Sequence, residues 1–309
     1  MTADALILRF FSYLLLTLIG GMVAVSAEAL TLATYNIENY GPANRLTEAG
    51  YRKDYPKPEA EKRALRAVIR GLAADVLVLQ EMGPRPYLDE LRRDLKSEGC
   101  DYPFAELAAA ADADRHLAIL SKRPLKAVTT HTDLSFAYFG GKETVKRGLL
   151  EATVATAAGD VTLFVVHLKS RYTDRPDDPL SAIRRAAEAT AVRDRVLQRF
   201  PTPAEARFVI LGDCNDSRTS KAVAFLQKRG KTEIAKLLPA VDSRGESWTH
   251  SYRREESYSR VDQILVSSRL LPLVVGGAAA RIYDGAGVRE ASDHRPVIVS
   301  LNLVGVAPR

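Results

Sequence analysis

The chain has 309 residues, 46% of them hydrophobic and 27% charged, with 44 basic against 38 acidic side chains for a formal net charge of +6. That balance excludes a disordered, low-complexity or fibrous chain, and it leaves room for one large domain or two small ones with an ample core. The basic surplus suits a polyanionic partner; two cysteines, Cys100 and Cys214, are too few for a disulfide framework and read as largely buried free thiols.

Residues 1–27 stand apart. Arg9 precedes an apolar run from Phe10 to Val25, and Val25-Ser26-Ala27 offers the small residues of a cleavage site, so the segment reads as an export signal cut after Ala27. Its apolar run is slightly short of the ~20 residues that span a bilayer, and an uncleaved anchor is the alternative. Residues 28–309 are then expected to be one soluble exported domain, periplasmic or extracellular, monomeric and without a stable protein partner.

"ALTLATYNIENYG" alternates and then breaks at polar residues, which predicts a strand ending in a loop. Residues 41–58 read as a long polar loop, with Tyr51, Arg52, Lys53 and Tyr55 available to stack on bases and hold phosphates. Helical spacing covers 59–73, "DVLVLQEMG" is a fully buried strand, and a second helix covers 86–97. Short strands follow from 102 to 167. The stretch "LSFAYFGG" at 134–141 reads as a surface loop or buried aromatic cluster rather than a membrane-binding hairpin. Asp178 and Pro179 open a long amphipathic helix. Then come the strand "RFVILGD", a helical region over 219–237, and strands near 246–251, 260–267, 276–283 and 295–303. No repeat or linker divides the chain, so stacked sheets flanked by helices in one α/β domain are expected.

Polar residues gather at the ends of these apolar strands. Asn36 and Glu38 are two apart and would share a strand face. Glu81 ends "VLVLQE", His167 ends "TLFVVH", Asp213 and Asn215 follow "FVIL", Asp262 sits in "SRVDQIL", and Asp293 and His294 precede the last strand. Each has an ordinary explanation alone, as a cap, a turn residue or a core histidine. Together they imply strand ends that converge on one site.

Hydrolysis of a phosphate ester needs this set. Glu38 and Glu81 are hard oxygen ligands suited to Mg²⁺, with Mn²⁺ or Ca²⁺ as alternatives. Asp213 or His294 could orient or deprotonate water, and Asp262 could fix the tautomer of His294. Asn215, His167 and Arg147 could donate to phosphate oxygens. The closely spaced Cys and His of a zinc site, a GxSxG elbow and a glycine-rich phosphate loop are missing from the sequence.

The motifs "YNIEN", "LVLQE", "VVHLKSR", "LGDCND", "SRVDQIL" and "SDHRPV" occur in an order that resembles the endonuclease/exonuclease/phosphatase superfamily, over residues 35–297. The resemblance implies a four-layer sandwich, two mixed β-sheets face to face with helices outside, and metal-dependent hydrolysis at the sheet edge. It matches Asn36 to the phosphate-site asparagine, Glu81 to the metal-binding glutamate, and Asp213 and Asn215 to the pair that orients water and phosphate. Asp262 matches the carboxylate paired with the final histidine, His294, and Asp293 the neighbouring acid, here assigned with Glu38 and Glu81 to the metal. His167 matches the deoxyribonuclease-like and lipase-like branches rather than the apurinic endonucleases, which carry tyrosine there. Basic charge and export favour a secreted nuclease acting on DNA or RNA. A phosphatase or phospholipid head-group phosphodiesterase is the second reading, and a non-catalytic binding module the third.

Overall fold

Alternation along the strands decides which side chains meet. In the computed structural model, residues 26–47 and 50–305 are described, and most of the expected export signal lies outside them. In chain order the strands and helices are β1 (Ser26–Tyr40), β2 (Ala43–Thr47), β3 (Gly50–Tyr55), α1 (Glu59–Leu72), β4 (Val76–Met82), α2 (Arg85–Ser97), β5 (Phe104–Ala108), β6 (His116–Ser121), β7 (Leu125–His131), β8 (Ser135–Tyr138), β9 (Gly141–Thr144), β10 (Leu149–Val154) and β11 (Val161–His167). They continue with α3 (Ala182–Arg199), β12 (Phe208–Asp213), α4 (Lys221–Gln227), β13 (Lys228–Arg229), β14 (Thr232–Glu233), β15 (Lys236–Leu237), β16 (Ala240–Val241), β17 (His250–Tyr252), β18 (Ser257–Ser259), β19 (Asp262–Val266), β20 (Ala280–Ile282), α5 (Val288–Ala291) and β21 (Val297–Gly305).

Two mixed sheets carry the fold. One has the order β16-β20-β21-β1-β4-β6-β5, the other β15-β19-β12-β11-β10-β7. Leu30, Leu32, Val76 and Val78 of the first sheet pack against Leu163, Val165, Val209, Leu211, Ile264 and Val266 of the second in a single inter-sheet core. The alternate residues Ala33, Tyr35, Leu77 and Leu79 face outward and are covered by Leu65, Val68 and Ile69 of α1 and Leu88 and Leu91 of α2. On the other side Phe164, Val166 and Ile210 meet Val192 and Val196 of α3 and Val223 and Leu226 of α4. The result is the expected four-layer α/β sandwich.

Some expectations needed correction. Residues 43–55 form a hairpin, β2–β3, in which Leu46 pairs with Tyr51. Neither face of that ribbon is buried, so it leaves no period-two signal. The region 219–237 is helical only through Gln227. Gly230, at φ 57°, then turns the chain into the β13–β14 ribbon. "LSFAYFGG" is also a hairpin, β8–β9, with Tyr138 buried and Arg175 lying 4.2 Å over the exposed Phe139 ring. Asp178 does cap α3, but from outside its first turn, accepting the backbone N–H groups of Ile183 at 2.9 Å and Arg184 at 3.0 Å. Cys100 and Cys214 are both free.

Candidate active site

The parity that fills the inter-sheet core also sets the polar site. Along β11, residues 163 and 165 point between the sheets, and 167 continues the row. Along β12 the row is 209, 211 and 213, and along β19 it is 266, 264 and 262. Register places His167 beside Asp213 and Asp213 beside Asp262 on three neighbouring strands. From the facing sheet, Asn36 ends the inward row of β1. Four polar side chains thus close one end of an aliphatic core, where His167, Asp213 and Asp262 are each no more than 1% exposed.

Glu81 arrives differently. Strand parity would send it outward, but its φ of 64° sits where the β4–β6 register shifts, and such a bulge re-aims a side chain. Its Oε1 lies 3.4 Å from Asn36 Nδ2, and its Oε2 accepts the Asn39 backbone N–H at 3.1 Å. Glu38 and Asn39 also have positive φ, which shifts the β1–β4 register between Asn36 and Tyr40. Glu38 therefore does not share the face of Asn36 as expected. Its Oε2 accepts the Asp293 N–H at 3.1 Å. Positive φ at Glu38, Asn39, Glu81 and Asn215 gathers backbone strain around one point, a pattern found at functional sites.

The hydrogen bonds define the roles available. Asn36 donates to Asp213 Oδ2 at 3.0 Å, while its own Oδ1 accepts the Glu38 N–H at 3.1 Å and so fixes the amide's orientation. Asp213 Oδ1 accepts the Asn215 N–H at 2.7 Å, and Asn215 Nδ2 donates to the Leu168 carbonyl at 2.9 Å. His167 Nε2 stands 3.6 Å from Asp213 Oδ2 and 3.8 Å from Glu81 Oε1. His294 Nδ1 is 2.8 Å from Asp262 Oδ2, and its Nε2 is 4.0 Å from both Asp213 Oδ2 and Asp293 Oδ1. Arg147 is buried and largely committed: Nε donates to Asp112 Oδ2 at 3.0 Å and Nη1 to the Leu168 carbonyl at 3.3 Å. Of the sequence-predicted residues, Asn36, Glu81, His167, Asp213, Asn215, Asp262 and His294 form one connected cluster. Asp293 adjoins it with Glu38, and Arg147 reaches it through Leu168.

Electrostatics separates the titrating groups. Burial raises the Asp213 carboxyl to about 6, and the Asp262 charge adds to the rise against the opposing pull of His294. Burial alone would lower His294, but the charge and hydrogen bond of Asp262, with Asp213 and Asp293, outweigh it and hold the imidazole well above its usual value. Burial drives His167 far down, helped by the positive charge of Arg147, so that ring is neutral. A carboxylate able to accept a proton near neutrality beside a protonated imidazole is a general-base and electrostatic pair.

Several positioning residues left no signal in the sequence. Residues 249–251 run antiparallel to 293–295, through Ser251 N–H to the Asp293 carbonyl at 2.9 Å and Arg295 N–H to the Thr249 carbonyl at 2.6 Å. His250 and His294 form the wide pair between these bonds, the geometry that brings side chains closest. Their rings lie 4.6 Å apart, and His250 Nε2 is 3.7 Å from Asp293 Oδ2. Thr249 Oγ1 accepts the Asp262 N–H at 3.1 Å, and Ser292 Oγ donates to the Asn36 carbonyl at 2.8 Å. "SWTHSY" reads only as a strand before these contacts are known, and Ser292 carries no role of its own beside Asp293 and His294.

Among the described residues, two three-donor clusters have ligand atoms within 4.8 Å of one another: His250, Asp293 and His294, and Asp213, Asp262 and His294. Both depend on His294, whose Nδ1 is taken by Asp262. The carboxylates that remain open are Glu81, 17% exposed, and Asp293, 30% exposed, with Glu38 beside Asp293. Open oxygen donors next to sealed, histidine-bound ones fit a hard divalent ion that keeps part of its water.

Residues 33–294 match the sequence profile of the Endonuclease/Exonuclease/phosphatase family. The chain belongs to that family. Solved structures share the fold at low identity. Sphingomyelinase C from Streptomyces griseocarneus superposes with a TM-score of 0.59 at 19% identity, covering 89% of this chain and 100% of its own. A family member from Bacteroides vulgatus gives 0.61 at 16%, covering 89% and 99%. Truncated TDP2 from Caenorhabditis elegans gives 0.58 at 15%, covering 89% and 97%. No curated protein matches this chain by sequence.

Proposed function

We propose that this family member is an exported, metal-dependent phosphodiester hydrolase acting on nucleic acid. The observation that carries the reaction is the row His167–Asp213–Asp262 with His294 clamped on Asp262. Asp213, pushed up to about 6, takes a proton from water placed between the sheets. Asn36 and the Asn215 N–H hold its two oxygens, so the lone pair that receives the proton has a fixed direction. His294, protonated and locked by Asp262, presents Nε2 to a non-bridging phosphate oxygen and offsets the charge that builds there. Neutral His167 is a second donor on the same side. Glu81, with Asp293 and Glu38 available, would hold Mg²⁺, which supplies charge neutralisation at the scissile phosphate. The magnesium-bound beta toxin of Staphylococcus aureus, matched at a TM-score of 0.59 and 14% identity, supports this choice of ion. The basic surplus of the chain supports a polynucleotide substrate.

A second reading is a phospholipid head-group phosphodiesterase. It is favoured by the β2–β3 hairpin, where Leu46 and Tyr51 are paired and 84% and 61% exposed, and by the likeness to a sphingomyelinase fold. The hairpin stands at the site, because Arg45 donates to the carbonyls of Asn39 and Glu38 at its root.

The deciding assay offers supercoiled plasmid, RNA, a small aryl phosphodiester and sphingomyelin side by side with Mg²⁺. Chelator and Asp213→Ala serve as controls. Plasmid or RNA cleavage abolished by both supports the nuclease. Turnover confined to sphingomyelin would replace it with the second reading, and turnover confined to the aryl ester would remove nucleic acid as the substrate.

A further inference from the structure

We propose that the groove between α4 and the strands β13–β15 is an anionic subsite for the phosphates of a polynucleotide strand that leads away from the catalytic loop. The inference rests on the nuclease reading and goes beyond it by assigning the path of the strand.

The groove has a volume of about 470 Å³, and Arg218, Lys228, Lys231 and Lys236 line it against one carboxylate, Glu233. That carboxylate is spent locally: it lies 2.5 Å from Lys236 Nζ. Among the described residues, Arg218, Lys228 and Lys231 make no salt bridge. Three uncompensated cations around one concavity repel each other, and an anion in the groove relieves the repulsion. A folded chain with no use for that field gains nothing from concentrating it.

One short loop joins the groove to the site. Arg218 is three residues beyond Asn215, on the loop whose Asp216 side chain lies 3.0 Å from Arg185 Nε and whose Asp216 carbonyl accepts Gln263 Nε2 at 3.4 Å. Ser220 then caps α4 by accepting the Val223 N–H at 3.3 Å, which holds the loop against the helix. Burial and the nearby Arg218 charge together lower the Arg260 guanidinium to about 10, and Arg260 also senses Asp262. Arg218 thus lines the groove and lies within electrostatic reach of Arg260, which in turn senses Asp262. The seven residues of α4 carry the groove about 10 Å further, to Lys228. At ~3.4 Å of rise per nucleotide that is roughly three nucleotides.

Shape and composition favour a strand over a lipid surface. The large apolar side chains exposed among the described residues, such as Leu46, Tyr172 and Val275, lie outside the groove. A membrane-binding face uses such side chains as anchors.

The test compares the full chain with R218Q/K228Q/K231Q and with the charge-keeping R218K/K228R/K231R, all with Mg²⁺. The substrates are a single-stranded oligonucleotide of roughly 20 nucleotides, several times the groove's span, and bis-p-nitrophenyl phosphate, which cannot reach the groove. Removing three phosphate contacts should lower the slope of log kcat/KM against log salt by about 2 and cut oligonucleotide kcat/KM roughly tenfold or more at low salt. Turnover of the small ester should stay unchanged in both variants, and the charge-keeping variant should retain the parental slope. An unchanged oligonucleotide slope in the glutamine variant overturns the subsite while leaving the nuclease reading intact. Weaker binding of the glutamine variant to phosphatidylglycerol vesicles, with unchanged oligonucleotide kinetics, overturns it in favour of a membrane surface. A parent chain that hydrolyses the small ester but no polynucleotide removes the nuclease reading and the subsite with it.

Discussion

Asp213→Asn should abolish activity and at the same time stabilise the metal-free protein. The Asp213 carboxyl is 1% exposed, and its pKa is raised from 3.8 to about 6, first by burial and then by Asp262. Ionising it costs more in the folded chain than in the unfolded one by ~3 kcal/mol, at ~1.4 kcal/mol for each tenfold step. Well below pH 3.8 the group is protonated in both states and costs nothing. The penalty grows as pH rises from 3.8 to about 6 and is complete above that. Asparagine keeps the shape and is never charged, but its Nδ2 forfeits one of the two hydrogen bonds that Asp213 accepts from Asn36 and Asn215, at a cost of ~1 kcal/mol, so the variant should gain up to ~2 kcal/mol at pH 7.5, or roughly 4–7 °C in melting temperature, and nothing at pH 4. Thermal melts at both pH values with chelator present measure this. A variant no more stable than the parent at pH 7.5, or one equally stabilised at pH 4, would refute the idea that the site is held at the expense of the fold.

Asp262→Asn should return His294 toward an ordinary imidazole pKa, seen in the NMR titration of its ring, and lower kcat by ~10²–10⁴ while leaving KM nearly unchanged. Asp112→Ala leaves the buried Arg147 guanidinium without its carboxylate and should cost ~3–5 kcal/mol in denaturant unfolding. Gly212→Ala should destabilise by more than ~3 kcal/mol in the same assay. Its φ is 144°, and a Cβ there would run into the Val166 carbonyl oxygen. Arg52→Gln with Lys53→Gln on the hairpin should reduce polynucleotide turnover more than turnover of a small phosphodiester, and equal losses on both would exclude a binding role for β3.

The sequence by itself determined the layers and the inward residues of the site. Aliphatic alternation in β1, β11, β12 and β19 is a property of the chain, and its parity carries Asn36, His167, Asp213 and Asp262 to the same side whatever the strands pair with. Side-chain identity also pointed to phosphate ester chemistry. Only the tertiary structure decided how they are used. Glu81 turns inward because a bulge reverses its parity, and Glu38 leaves the face of Asn36 because two positive-φ residues interrupt the β1–β4 ladder. Both depend on pairing with other strands, which local sequence does not encode. His250 reaches His294, and Asp112 reaches Arg147, across separations of 44 and 35 residues that no local pattern spans. The groove beyond Asn215 likewise forms only when α4 and three two-residue strands fold against one another, bringing scattered lysines to face a single space. Periodicity is local and survives in the sequence. Convergence of charges and the strain that aims them come from the packing of distant segments, and they become visible only in three dimensions.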